Sequence, residues 1–85
     1  MSEHEIGTVT HYFSKLGVAA IQVTDDHVSV GDTIHVKGHT SDFTQTIDSM
    51  QVDGKSVTEA TAGQSIGIKA ADHARVHDHV FKVVG

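Results

Sequence analysis

Cysteine and proline are both absent from this chain of 85 residues, and only four side chains are aromatic. Without cysteine there are no disulfides, no thiolate metal site and no thiol nucleophile, a composition that fits a reducing compartment. Without proline, the turns must rest on Gly, Asp and Ser. Because aromatic residues are so few, the core has to come mostly from Val, Ile and Ala, and β-branched side chains favour strands.

Long apolar runs and a basic charge balance are missing as well. No apolar stretch approaches the roughly 18 residues of a membrane span. Residues 1–5 are acidic and polar, unlike the basic region and apolar run of a signal peptide. We therefore expect a soluble cytoplasmic protein with no membrane partner. Six Lys and Arg against eleven Asp and Glu give a formal net charge of −5, so no basic face for nucleic acid phosphates is evident.

The length allows one domain, because a chain of this size buries only about 60% of the surface that its unfolded form exposes. We expect a flexible N-terminus over residues 1–5 and a single domain over residues 6–85. Within that domain, glycines separate short segments rich in Val, Ile and Thr: Gly7, Gly17, Gly31, Gly38, Gly54, Gly63 and Gly67. This spacing predicts an antiparallel β-barrel or β-sandwich.

Two hairpins are predicted from local signals. Strands over residues 6–13 and 18–23 flank a short polar turn. Asp53 and Gly54 form the strongest two-residue turn signal, because a type I′ turn needs positive φ at both central positions. Residues 55–57 should then pair back on the preceding strand.

Three other segments are less regular. Residues 43–52 alternate at first and then change parity, so we expect a β-bulge near Asp48 and Ser49. Gly67, inside the next strand, indicates a close approach of two backbones. Residues 70–79 are polar and predict a loop, with a two-turn helix as the alternative.

The order of these segments resembles a known family. The succession GTVTHYF, VSVGDTIHVKG, IDSMQVDGKSVTEATAGQSIGIK and VFKVV is similar to the second, β-barrel domain of translational GTPases such as elongation factor Tu. It is especially similar to stand-alone elongation factor-like versions of that barrel and to the version appended to collagenase-like peptidases. The resemblance extends from Ile6 to Val84. It departs from the pattern at His77, which precedes Asp78 where such barrels usually carry glycine.

The resemblance implies a small, closed, antiparallel β-barrel of six to seven strands, of the translation-protein type, and it implies a partner. In the translational factors this barrel touches the small ribosomal subunit, and in elongation factor Tu it also helps to hold the aminoacyl end of tRNA. RNA or a ribonucleoprotein is therefore the implied ligand. The chain has no GxxxxGK[ST] phosphate loop, so we expect neither a GTPase, nor a nucleoside triphosphate, nor any other cofactor.

We interpret the chain as a non-catalytic binding module that acts through loops. In the first hairpin loop, aromatic stacking surface stands next to a positive charge, and a second polar loop follows the strand that ends at Lys37. The candidate contact residues are Tyr12, Phe13, Ser14, Lys15, His39, Thr40 and Asp42. The alternatives are that the aromatic side chains fill the interior and that the second loop is only a solvated connection. A protein partner is the alternative to RNA, through docking on an enzyme or self-association, and the acidic charge favours it.

The number of histidines, eight, is the one chemically unusual feature of the composition. Their plain interpretation is a polar surface, and the second alternative function is metal binding. The ligands to consider for it are Asp72, His73, His77, Asp78 and His79, since residues two apart on a strand point the same way. We predict no catalytic residues, because chance Ser, His and Asp pairs are expected at this composition and a small filled barrel leaves little room for a cleft.

Overall fold

The computed structural model describes residues 2–84, which form ten β-strands. Eight strands make one antiparallel sheet in the order β5-β4-β10-β1-β2-β9-β6-β7, and β3 pairs with β8 in a second, two-stranded sheet. The strands are β1 (Ser2–Phe13), β2 (Val18–Val23), β3 (His27–Ser29), β4 (Thr33–Lys37), β5 (Asp42–Thr46), β6 (Met50–Val52), β7 (Lys55–Val57), β8 (Glu59–Thr61), β9 (Ser65–Lys69) and β10 (His79–Val84). The predicted all-β, antiparallel class is confirmed. Over residues 2–84 the chain has no helix of the length and apolarity that crossing a membrane requires.

Strand β1 is the centre of the large sheet. It pairs with β10 along one side, where Ser2 lies opposite Val84, and with β2 along the other, where Phe13 lies opposite Val18. Residues 2–5, which we predicted to be a flexible segment before the domain, are therefore part of a strand pair in the structure. Met1 and Gly85, the ends of the two predicted segments, lie outside the described residues.

The predicted closure of the barrel is wrong, and so is the predicted number of strands. The large sheet ends at β5 on one side and at β7 on the other. Strand β9 already pairs with β2 and β6, and the backbone of Ile47, which follows β5, bonds to Gly31 and Asp32. The Gln45 side chain spans the gap between β5 and the end of β9, accepting a hydrogen bond from the Ala71 N–H at 2.6 Å and donating one to the Lys69 carbonyl at 2.8 Å.

One hydrophobic core joins the two sheets. Because β3 and β8 contribute Val28 and Ala60 to it, the small sheet packs on the same interior as the large one. The buried members are almost all aliphatic: Ile6, Val9, Ala19, Ile21, Val23, Val28, Ile34, Val36, Ile47, Met50, Ala60, Ile66, Ile68, Ala74 and Val80. The prediction of a core made from Val, Ile and Ala is confirmed, and no aromatic side chain is among them.

The local predictions have mixed outcomes. Asp53 and Gly54 have φ values of 52° and 77°, as a type I′ turn requires, and Lys55 pairs with Val52. The expected bulge is instead a break, because three residues separate the end of β5 at Thr46 from the start of β6 at Met50, and Ile47 is bonded elsewhere.

The expectation for Gly67 is wrong. A Cβ placed there would lie 3.7 Å from Val18 Cγ1, which is an ordinary van der Waals contact. Residues 70–78 form turns and loop, so the predicted loop is confirmed and the helical alternative is wrong.

Candidate binding site

The first hairpin ends in an exposed aromatic and apolar turn, residues 11–16, which we call the hairpin tip. The turn is tight, since the N–H groups of Leu16 and Gly17 both donate to the Phe13 carbonyl, at 3.1 and 2.8 Å. Phe13 is 45% exposed and Leu16 is 63% exposed. The ring of His11 lies against Phe13 at a centroid distance of 4.3 Å. Phe13 therefore does not fill the interior, and the tip borders a shallow cleft of about 490 Å³.

Tyr12 points to the other side of the hairpin. It is half-buried against the edge of the core, so the alternative that the aromatic side chains fill the interior is partly right for this residue. Its remaining ring surface meets His73 at a centroid distance of 4.4 Å. Tyr12 thus connects the hairpin tip with the loop over residues 70–79.

This loop is fixed along the hairpin by backbone hydrogen bonds. The N–H of Ala70 donates to the Gly17 carbonyl, and the N–H of His77 donates to the Val9 carbonyl, both at 2.8 Å. Val9 in turn donates to the Asp78 carbonyl at 2.9 Å. The loop is therefore docked at both ends on the β1–β2 hairpin.

The same loop touches the predicted contact loop over residues 38–42. The Asp78 side chain is 3% exposed and accepts a hydrogen bond from the Arg75 N–H at 2.8 Å. Gly38 lies directly against it, and a Cβ at Gly38 would overlap the Asp78 carboxylate. The absence of a side chain at Gly38 is what lets the two loops meet.

A groove of about 530 Å³ runs between the two loops, and we call it the cationic groove. Its lining residues are Lys37, Gly38, His39, Arg75, Val76, His77, Asp78, His79 and Phe81. Five of them carry cationic or protonatable side chains, and the one carboxylate in the lining is the buried Asp78. The nearest exposed carboxylate is Glu5, whose Oε2 lies 2.8 Å from His79 Nδ1. An acidic chain thus presents a locally cationic surface.

The Tyr12 side of the hairpin tip is joined to the cationic groove. Between them lies a hollow of about 250 Å³ whose lining includes Thr40, Asp42, His73 and Arg75. His73 contacts Tyr12 on one side of the hollow, and Arg75 lines both the hollow and the groove. The structure therefore connects the two predicted contact loops through residues 72–79, although the two loops were predicted independently. Ser14 and Lys15 lie at the outer end of this face, in the hairpin tip.

His35 forms an ionic cluster beside this face. Its Nδ1 lies 2.9 Å from Glu3 Oε2, its Nε2 bonds the Asp42 carboxylate, and its side chain is 15% exposed. The hydrogen bonds to Glu3 and then to Asp42 raise the pKa of His35, and the bond from His35 lowers the pKa of Asp42. Since the two carboxylates bind opposite nitrogens of the ring, the three groups do not converge on one point.

The five residues considered for a metal are dispersed. Asp72 caps its own turn by accepting a hydrogen bond from the His73 N–H at 2.7 Å, while Asp78 is buried and His79 pairs with Glu5. His77 has φ of 78°, so it lies in a turn rather than in extended chain beside His79. Within residues 2–84, no three His, Asp or Glu side chains are grouped as metal ligands.

In the turn before the last strand, His77 adopts a left-handed backbone conformation at the position where the resembled barrels usually carry glycine. Glycine is the residue that adopts positive φ most readily. The chain keeps the backbone of the Gly-Asp turn although histidine occupies the glycine position.

Sequence reasoning missed Lys37, Arg75 and His35. Lys37 meets residues 75–79 because β4 pairs with β10, with Lys37 opposite His79. Glu3 and His35 are 32 positions apart in the chain. Only the strand order brings these charges together, so nothing in the local sequence marks them.

Comparisons with known proteins agree with one part of the predicted resemblance. No protein-family model matches the chain. It is 35% identical over 78 residues to an uncharacterized protease of Methanocaldococcus jannaschii, and 30% identical over 78 residues to a collagenase of Porphyromonas gingivalis. Each match covers 91% of this chain but only 19% and 22% of the relative, so the chain spans about a fifth of the length of these proteins.

The fold is also that of a solved domain. The C-terminal domain of a Geobacillus thermoleovorans protein assigned to the U32 peptidases superposes with a TM-score of 0.87 at 24% identity, covering 96% of this chain and 93% of that domain. Its selenomethionine variant gives a TM-score of 0.85 at 22% identity, covering 91% and 96%. The predicted similarity to the domain appended to collagenase-like peptidases is therefore confirmed in both sequence and fold.

Proposed function

We propose that this chain is a non-catalytic binding module that contacts RNA through the hairpin tip and the 38–42 loop. The observation that carries the proposal is that aromatic rings are exposed at the tip, and that Tyr12 of the tip is joined through His73 to the cationic side chains of the groove. Single-stranded nucleic acid is bound by the same combination of features. Aromatic side chains stack with bases, and positive groups follow the phosphates.

The ring surfaces at the tip supply the stacking element. Phe13 is almost half exposed and is supported from the side by His11, while Lys15 stands two positions further along the turn. A base that stacks on Phe13 would have its phosphate within reach of a flexible lysine. Stacking of this kind tolerates any base, so the proposal does not require a particular RNA sequence.

The overall charge of −5 opposes RNA binding, but its distribution does not. Two of the six Lys and Arg residues lie in the cationic groove with three histidines, and a third, Lys15, lies at the tip. A polyanion responds mainly to the charges close to it, because at physiological salt the electrostatic field of a charge is screened over about 8 Å. The binding face therefore acts more strongly on a nearby phosphate than distant carboxylates do.

The chemistry of the histidines supports a non-catalytic role. Within residues 2–84, the histidine side chains that form hydrogen bonds or ion pairs do so with carboxylates: His4 with Asp25, His27 with Asp26, His35 with Glu3 and Asp42, and His79 with Glu5. None of these rings holds a serine or threonine hydroxyl, as a nucleophile and its base would require.

A nuclear magnetic resonance titration with a short oligouridylate at low salt tests the proposal. Amide signals of residues 11–16 and 38–42 should move, and the affinity should fall steeply as salt is raised. The Phe13→Ser variant should bind roughly fivefold or more weakly, since stacking is worth about 1–3 kcal/mol per base. Val30→Ser is the matched control, because Val30 is 39% exposed and lies outside the binding face. Unmoved signals in both loops would reject RNA as the ligand.

Docking on a protein is the second candidate function. Its specific support is the exposed Phe13 and Leu16 side chains, together with relatives in which the matching segment is about a fifth of a larger protease or collagenase. Apolar docking is insensitive to salt, whereas phosphate contacts are not. Sedimentation of the wild-type chain and of Leu16→Ser, at low and high salt, detects the self-associating form of this alternative.

A further inference from the structure

We infer that the cationic groove is a phosphate-binding site whose affinity is set by protonation of the histidines that line it. The inference rests on the proposed function and deepens it, because it assigns the phosphate contacts of the ligand to the side chains around residues 37–39 and 75–79. The groove lies outside the predicted contact residues except for His39.

The groove has a permanent charge and a variable one. Lys37 and Arg75 are positive at every physiological pH. His39, His77 and His79 line the same groove and are exposed. Histidine is the residue type whose charge changes between pH 5 and pH 8, so each groove histidine that takes up a proton adds one positive charge to those of Lys37 and Arg75.

The opposing carboxylates are few and already engaged. Asp78 is buried under the groove and accepts the Arg75 backbone N–H. Glu5 pairs with His79 from β1, and it offsets the charge of that histidine in part. The carboxylates beside the face, Glu3 and Asp42, are both bonded to His35. Lys37 and Arg75 are thus set against the buried Asp78 and the neighbouring Glu5, so any positive excess of the groove comes from its histidines.

The shape of the groove also fits a ligand. Its volume of about 530 Å³ lies within the range of roughly 300–1,000 Å³ that is usual for ligand sites. Phe81 and the 48% exposed Val76 give it an apolar part beside the charges. In a bound sugar–phosphate segment, the sugar would contact the apolar part and the phosphate would contact the charged part.

The test compares two variants that remove the same number of histidines. The groove variant carries His39→Gln and His79→Gln. The control variant carries His4→Gln and His27→Gln, which lie outside the groove and are paired with Asp25 and Asp26. Both variants lose two histidines, so their net charges are equal when all histidines are neutral and equal again when all are protonated. Thermal unfolding followed by circular dichroism verifies that each is folded.

The dissociation constant of a fluorescent oligouridylate is measured at pH 8 and pH 6 at constant ionic strength. The wild-type chain and the control variant should bind tenfold or more tightly at pH 6, because one added charge about 4 Å from a phosphate is worth roughly fivefold even in water. The groove variant should lose most of this gain. An equal loss in the two variants would show that only the total charge matters, and would overturn the inference.

Failure of the inference and failure of the proposed function remain distinguishable. Binding at pH 8 that does not change at pH 6 leaves RNA as the ligand and overturns only the role of the histidines. If the oligouridylate binds at neither pH, the proposed function fails, and a titration with inorganic pyrophosphate then tests the groove alone. Shifts of the amides of residues 37–39 and 75–79 at pH 6 would support the phosphate site, and unmoved amides would overturn it.

Discussion

Gly38 is the residue at which the two halves of the binding face touch. Its backbone N–H donates to the Ser41 carbonyl at 2.8 Å, which closes the loop, and its α-carbon lies against the Asp78 carboxylate. Asp78 cannot move aside easily, because it is buried and bonded to the Arg75 N–H. The position therefore tolerates no side chain.

We expect Gly38→Ala to lower the free energy of unfolding by about 1–3 kcal/mol, the usual cost of overpacking a filled site. Gly67→Ala is the matched control. A Cβ there has its nearest neighbour at 3.7 Å, and neither glycine has a positive φ. The control should change stability by less than about 0.5 kcal/mol, as substitutions without steric conflict usually do. Urea unfolding curves of the two variants give the comparison, and equal stabilities would contradict the described contact.

His35 makes the stability of the fold depend on pH, and the direction follows from the pKa shifts. Because the pKa of His35 is raised by Glu3 and Asp42, its stabilising contribution is complete below the unfolded value of about 6.5 and is lost as the pH rises through the raised value. The pKa of Asp42 is lowered, so its contribution is present above about 3.8 and is lost in stronger acid. The cluster therefore stabilises most between these limits.

The measurement is the melting temperature of wild type and His35→Gln from pH 5 to pH 9. The difference between them should be largest near pH 5–6 and should shrink towards pH 9. His39→Gln serves as the control, because His39 is exposed and forms no hydrogen bond or ion pair within residues 2–84. A wild-type advantage that stays constant with pH would show that His35 acts through packing alone.

At the scale of the elements, the gap between the edge strand β5 and the end of β9, which itself pairs with β2 and β6, is bridged by a side chain. The Gln45 carboxamide supplies one acceptor and one donor to residues 69–71, as a neighbouring backbone would. Both bonds are long-range, so they hold an edge strand that otherwise pairs only with β4.

We expect Gln45→Ala to destabilise the fold by about 0.5–1.5 kcal/mol, the usual net contribution of hydrogen bonds whose backbone partners are exposed and can bind water instead. The amides of Ala71 and of the residues around it should also exchange with solvent faster. Gln51→Ala is the control, because Gln51 is an exposed strand residue whose side chain forms no such bond within the described chain. Hydrogen exchange that is equal in the two variants would show that the gap is held by other contacts.

The elements themselves were predictable where a local rule decides them. Asp53 and Gly54 require positive φ, and the turn they form sets the pairing of β6 with β7. The break after Thr46 was not predictable, because it depends on where Ile47 finds its backbone partners, 15 and 16 positions back in the chain. The prediction of a closed barrel was wrong for the same reason. Closure is a property of strand order, whereas the alternation of apolar and polar residues indicates only which face of each strand is buried.

At the scale of the whole molecule, only one part of the proposed binding face could be recognised in the sequence. Tyr12, Phe13 and Lys15 stand together in the chain, so a turn with stacking and charge can be recognised there. The groove was not visible, because Lys37 and Arg75 become neighbours only when β10 takes its place beside β4. Charge clusters assembled across strands are invisible to composition, and the net value of −5 conceals this one.

The pairing of Ser2 with Val84 puts both ends of the described chain side by side, at the end of β1 remote from the hairpin tip. A tether joined to either end would therefore leave the molecule from the same corner. The tip would project away from that junction and stay free to reach outward. Because this chain matches segments of much longer proteins, this placement means that a covalent attachment at either end would leave the hairpin tip accessible.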